Sequence, residues 1–124
     1  MKVLFTAKTD NLESDIDPRF GRCGYFIIVD LDTMEFDSIS NESAMTSGGA
    51  GIQAAQTAAK AGVNVVITGN IGPNAFQTLS AAQIEVFTGA SGKIKDVIEK
   101  YKKGELKKNT NPNVGSHFGL RGTQ

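Results

Sequence analysis

Two arginines and a cysteine lie within four residues of each other in a polar segment, residues 17–24, and are the side chains best suited to chemistry. Arg19 and Arg22 could bind an anion through bidentate hydrogen bonds. Their positive charge would lower the pKa of the Cys23 thiol and make it a better metal ligand or nucleophile. The same residues also permit a structural interpretation, in which Arg19 pairs with Asp17 and Cys23 is a small buried apolar residue.

Two glycine-bearing loops precede predicted helices and form a second group of candidates. Gly48-Gly49-Ala50-Gly51 and Gly69-Asn70-Ile71-Gly72-Pro73-Asn74 could present backbone N–H groups to an anion at a helix N-terminus. Neither loop has the phosphate-binding Gly-Lys-Ser/Thr ending or the spaced glycines of a dinucleotide fold. The glycines could equally serve tight turns and close packing. The candidate ligand-binding residues here are Gly48, Gly49, Gly51, Asn70, Gly72 and Asn74.

The chain's single histidine, His117, is a candidate metal ligand together with Cys23. For both to bind one metal, the C-terminal segment would have to fold back onto the first loop. A lone histidine in a polar tail is more often simply solvated, and no Cys-x-x-Cys or His-Glu-x-x-His spacing supports the metal site.

Composition narrows the class of protein. The 124 residues suit one domain, and 40% are hydrophobic. Thirteen basic residues balance thirteen acidic ones, which disfavours a nucleic-acid partner. The single cysteine fits a reducing compartment, and no apolar run approaches the ~20 residues of a membrane span. We expect a cytoplasmic protein with neither a membrane nor a nucleic acid as its partner.

Hydrophobic periodicity predicts an α/β domain over residues 1–106, followed by a flexible polar tail over 107–124. The strands are predicted at 3–7, 25–30, 35–40, 63–68 and 84–88. A first helix is predicted at 51–61, where Ile52, Ala55 and Ala59 have helical spacing, and a second from Pro73 to Ala82. A third is predicted after an N-cap at Ser91, with Ile94, Val97, Ile98 and Tyr101 on one face. Residues 25–40 are predicted to form an antiparallel hairpin. The later alternation of strand and helix predicts parallel strands, with helices on both faces of a mixed sheet.

Three motifs in order resemble the dinitrogenase iron–molybdenum cofactor biosynthesis family, which includes NifX-type carriers, the C-terminal domain of NifB and small stand-alone archaeal proteins. The motifs are Asp17–Cys23, Gly48–Gly51 and Gly62–Ala75, and the resemblance extends over Met1–Leu106. It implies a three-layer α/β/α fold with a ribonuclease H-like motif and a mixed five-stranded sheet. It also implies that Arg19, Arg22, Cys23 and the glycine loops bind an iron–sulfur-type or iron–molybdenum-cofactor-like cluster or its precursor.

The favoured hypothesis is a non-catalytic carrier for such an anionic cluster, which an iron–sulfur scaffold protein would supply or an accepting protein would receive. A regulatory module that binds a small molecule or phosphate through the same loops is the alternative. A metal-dependent nuclease is less favoured, because the strand at 3–7 carries no carboxylate. The acidic residues near it, Asp10, Glu13, Asp15 and Asp17, belong to the following loop.

Overall fold

The structure is a computed structural model that describes residues 1–42, 49–109 and 111–112. Its strands are β1 (Lys2–Ala7), β2 (Tyr25–Asp30), β3 (Phe36–Ser40), β4 (Val65–Ile67), β5 (Glu85–Phe87) and β6 (Lys108–Asn109). Its helices are α1 (Ala50–Lys60), α2 (Pro73–Ala81) and α3 (Ile94–Lys102), and Phe20–Arg22 form a single 3₁₀ turn.

The strands form one mixed sheet in the order β3-β2-β1-β4-β5-β6. β1 pairs in parallel with β4, and β4 with β5, whereas β2 runs antiparallel to both β1 and β3. β1, β3, β4 and β5 therefore all point the same way and finish at the same end of the sheet. We call this the carboxyl end of the sheet; in α/β folds it is the usual place for a ligand.

Alternating side chains of the strands build two cores, one on each face of the sheet. Leu4, Val66 and Val86 face α1 and α2, while their neighbours Val3, Phe5 and Ile67 face α3. Helices thus cover both faces, which confirms the predicted three-layer α/β/α arrangement. No helix in the described residues is long and apolar enough to cross a membrane.

The sheet has six strands, one more than expected. The additional strand, β6, comes from the segment predicted to be a flexible tail and pairs antiparallel with β5. Asn109 fixes it, because its Oδ1 accepts hydrogen bonds from the Thr88 backbone N–H at 3.0 Å and the Thr88 hydroxyl at 2.7 Å. The sequence could not predict this strand, because two residues are too few to show hydrophobic alternation.

Two details of the helices differ from expectation. In α1 the buried stripe is made of alanines, whereas Ile52 and Ala59 are exposed. The buried alanines are Ala50, Ala54, Ala55 and Ala58. Small side chains on this face let α1 pack closely on its neighbours, so the bulkier isoleucine points outward.

α3 begins after Lys93, and Ser91 is not its N-cap as predicted. The reason is a tertiary contact with the first loop. The backbone N–H of Ile94 donates to Ser14 O at 2.9 Å, and that of Lys95 donates to Leu12 O at 3.2 Å. Backbone carbonyls of this distant segment therefore accept hydrogen bonds from N–H groups at the start of α3 that would otherwise need a capping side chain. The apolar face is as predicted: Ile94, Val97 and Ile98 are buried.

Candidate functional site

The loops after β1 and β4 are joined by backbone hydrogen bonds at the carboxyl end of the sheet. Arg19 and Asn70 form an isolated parallel bridge. The Asn70 N–H donates to Pro18 O at 2.8 Å, and the Phe20 N–H donates to Asn70 O at 3.3 Å. Asn70, a candidate ligand residue, therefore anchors residues 17–24, which we call the arginine loop. Its side-chain Nδ2 adds a hydrogen bond of 3.3 Å to Pro18 O.

Two glycines allow these loops to approach each other without a side chain between them. A Cβ on Gly69 would lie 2.6 Å from Pro18 Cα, and a Cβ on Gly21 would lie 2.7 Å from Gly51 N. The second contact places the 3₁₀ turn directly on the first turn of α1. Gly51 in turn lies beside α2, since its Cβ would be 3.4 Å from that of Ala75. The N-terminal turns of α1 and α2 and the arginine loop consequently meet at one place.

A buried polar cluster fixes the arginine loop to the strands beneath it. The Thr6 hydroxyl, at the end of β1, lies 2.7 Å from both Asp17 O and Thr68 Oγ1, so it donates to the former and accepts from the latter. The Asp17 N–H donates to Thr6 O at 2.9 Å. Both threonine side chains are fully buried, where an unpaired hydroxyl would be costly. The loop is therefore attached to the rigid centre of the sheet.

Asp17 holds the Arg19 guanidinium in a bidentate ion pair. Nε and Nη2 of Arg19 each donate at 3.2 Å to a different carboxylate oxygen of Asp17. Only 4% of the Asp17 side chain is exposed, against 63% of the Arg19 side chain. The hydrogen bond with Asp17, followed by its charge, raises the pKa of Arg19. A buried carboxylate thus orients an exposed, permanently charged guanidinium, and the third nitrogen, Nη1, takes no part in this pair.

Arg22 lies at the end of the 3₁₀ turn and is exposed. Its backbone N–H donates to Arg19 O at 3.1 Å, which keeps the two residues in one turn. The structure therefore places both predicted arginines on the exposed side of the same loop, beside the N-terminus of α1.

Cys23 lies on the opposite side of that loop, in the core. Its side chain is fully buried among Phe20, Phe26 and the alanines of α1. Burial, and secondarily the negative charge of Asp17, raises the pKa of the Cys23 thiol to about 12. Of the two interpretations of this segment, the structure agrees with the one in which Arg19 pairs with Asp17 and Cys23 is a small buried residue, and not with a thiol activated by the arginines. Desolvation is the largest cause of this shift, and the thiol donates a hydrogen bond to Phe20 O at 3.5 Å.

Cys23 is expected to be unreactive in the folded protein. A pKa of about 12 in place of 9.0 makes the thiolate fraction near pH 8 roughly a thousandfold smaller. The disulfide reagent DTNB should modify the denatured chain at once and the native chain only as fast as it opens. Rapid stoichiometric labelling of the native protein would contradict this burial.

The raised pKa of Cys23 also predicts how the free energy of unfolding changes at alkaline pH. Between about pH 9 and 12 the unfolded thiol loses its proton while the folded one keeps it, so stability falls as pH rises. The expected slope is about 1.4 kcal/mol per pH unit at 25 °C. Urea unfolding from pH 8 to 10.5 should show this contribution in the wild type and not in Cys23→Ala. Equal slopes would contradict the assignment.

Asn41 was not predicted as a site residue, yet it holds the arginine loop from the other side. Its Nδ2 donates to Gly21 O at 3.1 Å and to Cys23 O at 2.9 Å, and its backbone N–H donates to Gly24 O at 3.0 Å. An asparagine following a strand usually signals only a turn. Its burial is a tertiary feature, so no local pattern could have identified this contact.

The remaining candidate residues have the following positions. Gly49 is the exposed N-cap of α1 with φ +74°, Gly72 is the N-cap of α2, and Asn74 is exposed in the first turn of α2. Gly48 and His117 lie outside the described residues. Within the described residues, no group of three or more His, Cys, Asp or Glu side chains could hold a metal ion.

The family model of the dinitrogenase iron-molybdenum cofactor proteins matches residues 1–104. The chain belongs to this family. Its membership connects it to the biosynthesis or binding of that cofactor and confirms the resemblance carried by the three loop motifs.

Solved structures share the fold. The apo form of the orange protein from Desulfovibrio gigas is 38% identical, with a TM-score of 0.88 over 90% of this chain and 95% of that one. A candidate NifB protein from Thermotoga is 31% identical, with a TM-score of 0.75 over 86% and 90%. By sequence alone, the chain is also 32% identical to an uncharacterized protein of Methanocaldococcus jannaschii, over 75% of this chain and 81% of that protein's length.

Proposed function

We propose that the protein is a non-catalytic carrier for an anionic metal–sulfur cluster of the iron–sulfur or iron–molybdenum-cofactor type. The cluster binds at the carboxyl end of the sheet. One observation carries the proposal: an exposed loop with Arg19 and Arg22 is packed against the N-terminal turn of α1, whose Gly51 in turn lies beside Ala75 of α2. Guanidinium groups and helix N-termini both attract anions, and here they adjoin.

The arrangement suits recognition by charge and hydrogen bonding. Arg19 is held by Asp17 through Nε and Nη2, so its Nη1 is pre-oriented at the loop surface. Such orientation lowers the entropy lost when an anion binds. Gly49, with φ +74°, has no side chain of its own that would stand between a bulky ligand and the start of α1.

The donor set does not favour a thiolate bond to the metal. Cys23 is the described residue whose chemistry best suits iron, and its sulfur is buried with a raised pKa. A bond from Cys23 to the cluster would require the 3₁₀ turn to open. We therefore infer that the arginines and backbone amides hold the cluster as an anion, and that Cys23 serves packing. A contribution from His117 stays a prediction from the sequence.

Two comparisons support a cargo-binding role. The family is named for the iron–molybdenum cofactor. The orange protein, which shares 38% identity, is described in an apo form, a term for the ligand-free state of a protein that takes up a ligand. We infer that this chain works in the cytoplasm, receiving its cluster from an iron–sulfur scaffold or passing it to an accepting protein.

The competing function is a regulatory module that binds a phosphate-bearing small molecule at the same loops. Arginines and helix N-termini suit phosphate equally well. The choice of ligand can be decided by following backbone amide signals of the full chain. One sample is titrated with inorganic phosphate, nucleotides and sugar phosphates, and another is reconstituted anaerobically with ferrous iron and sulfide.

Reconstitution should shift the amides of residues 19–24, 49–52 and 69–74 and add visible absorbance, while millimolar phosphates leave them nearly unchanged. Either a shift of these amide signals, for a diamagnetic cluster, or their broadening, for a paramagnetic one, would locate the cluster if it is confined to these loops. Saturable shifts by a phosphate compound, with no bound iron, would replace the carrier with the regulatory module.

A further inference from the structure

The strand β3 lies at the edge of the sheet, remote from the core. All five of its residues are exposed. The bonds from Asn41 N to Gly24 O and from Asp30 N to Glu35 O set which backbone groups face β2. By alternation, the N–H and C=O groups of Phe36, Ser38 and Ser40 point away from the sheet, where another strand could bind them.

This edge is also unusually apolar for an exposed strand. Met34, Phe36 and Ile39 are 39%, 40% and 38% exposed. They make up three of the five large hydrophobic side chains that are exposed in the described part of the chain. Exposed hydrophobic edge strands tend to pair with other chains, and proteins commonly block them with lysine or proline. β3 contains neither residue.

The charged side chains of the hairpin itself are all acidic, and Lys102 of α3 reaches only its turn, with Nζ 3.8 Å from Met34 Sδ. Between residues 23 and 59 the sequence has no lysine or arginine and five acidic residues, which are Asp30, Asp32, Glu35, Asp37 and Glu42. The amino group of Met1 pairs with Asp32 at 3.1 Å, at the turn of the hairpin. On the strand side, neither Glu35 nor Asp37 forms a salt bridge with any described residue.

We propose that the outer edge of β3 docks an extended segment of a partner protein in which basic and apolar residues alternate. The segment adds a strand to the sheet through Phe36, Ser38 and Ser40; its apolar side chains lie on the face of Phe36, and its cations lie on the opposite face, beside Glu35 and Asp37. A second copy of β3 is a poor occupant, because it would bring like charges together across the new pair.

The position of this docking surface connects it to the carboxyl end of the sheet. β3 finishes at Ser40, and the next residue, Asn41, bonds directly to the loop that carries Arg22 and Cys23. A docked partner therefore lies beside the candidate site. The docking surface stands independently of which ligand that site binds, since no residue of β3 belongs to it.

The test uses the labelled full chain and a short synthetic peptide in which Lys and Val alternate. Amide signals of residues 34–41 should shift saturably, and the peptide should bind roughly tenfold more weakly when Glu replaces its Lys. The Asp37→Lys variant should weaken binding of the Lys peptide by a similar factor, about tenfold. Asp96→Lys, an equal charge change in α3, should leave binding unchanged.

Ser38→Pro tests the strand pairing itself. Its N–H points away from β2, so proline removes a docking donor and leaves the β2–β3 ladder intact. Core amide signals should stay in place while the peptide-induced shifts disappear. Shifts that leave residues 34–41 unaffected, equal binding of the Lys and Glu peptides, or unchanged binding to Asp37→Lys would overturn the proposal. So would concentration-dependent broadening of β3 without peptide, which would assign the edge to self-association.

Discussion

Gly69→Ala is expected to destabilise the protein by about 1–3 kcal/mol, as overpacked cores do. The added methyl would lie 2.6 Å from Pro18 Cα and 2.9 Å from Pro18 Cβ. These atoms belong to backbone and a rigid ring, so no flexible side chain can move aside. Relief requires the arginine loop to separate from β4. Urea unfolding of both proteins measures the difference directly.

Gly72→Ala is the matched control, three positions along the same loop. Its φ of −88° suits any residue, and a Cβ there would have no atom within 4 Å. Its stability should stay within about 0.5 kcal/mol of the wild type, as for surface substitutions that create no clash. Similar losses in the two variants would show that the loss in Gly69→Ala does not come from the close contact with Pro18.

Thr6→Val should cost about 1–3 kcal/mol despite its nearly identical shape, because it leaves buried polar partners without a donor or an acceptor. The hydroxyl serves Asp17 O and Thr68 Oγ1, both at 2.7 Å. Since Asp17 orients Arg19, the variant should also loosen the arginine loop. Hydrogen exchange at Phe20 and Asn70, compared with that of β4, reports this second effect.

Two further variants isolate the buried interaction. Thr57→Val removes a hydroxyl that bonds within α1 to Gln53 O at 3.0 Å, in a more exposed place, and should be nearly neutral. Thr6→Val combined with Thr68→Val should cost less than the sum of the single changes, because it removes both members of one pair. Strict additivity would contradict the hydrogen bond between them.

The fold was largely predictable because its strands and helices carry clear periodicity. The apolar run that became β1, the hairpin of β2 and β3, and the apolar face of α3 all follow from local sequence. What could not be predicted depends on distant contacts. Carbonyls of the first loop serve the start of α3 in place of a Ser91 cap, and Asn109 creates β6 by bonding to Thr88.

The candidate site divides in the same way. The motif that carries Arg19 and Arg22 and the glycine loop at Asn70 could be recognised from residue types, and the strand order brings them together. The burial of Cys23 was one of two interpretations that the residue types left open, since neighbouring residues around a 3₁₀ turn point in different directions and local sequence does not reveal which of them faces the core. Phe20 and Asn41 decide it, by packing and hydrogen bonding respectively.

The most direct test measures iron and acid-labile sulfide per chain after anaerobic reconstitution and desalting. The wild type and Cys23→Ala should retain equal amounts. Arg19→Met and Arg22→Met should each weaken retention roughly tenfold or more, the usual effect of losing a charged hydrogen bond. Lys60→Met removes the same charge at the C-terminal end of α1 and should change nothing; circular dichroism verifies that each variant is folded. Full retention by folded arginine variants, or loss of the cluster in Cys23→Ala alone, would contradict a cluster held as an anion at this site.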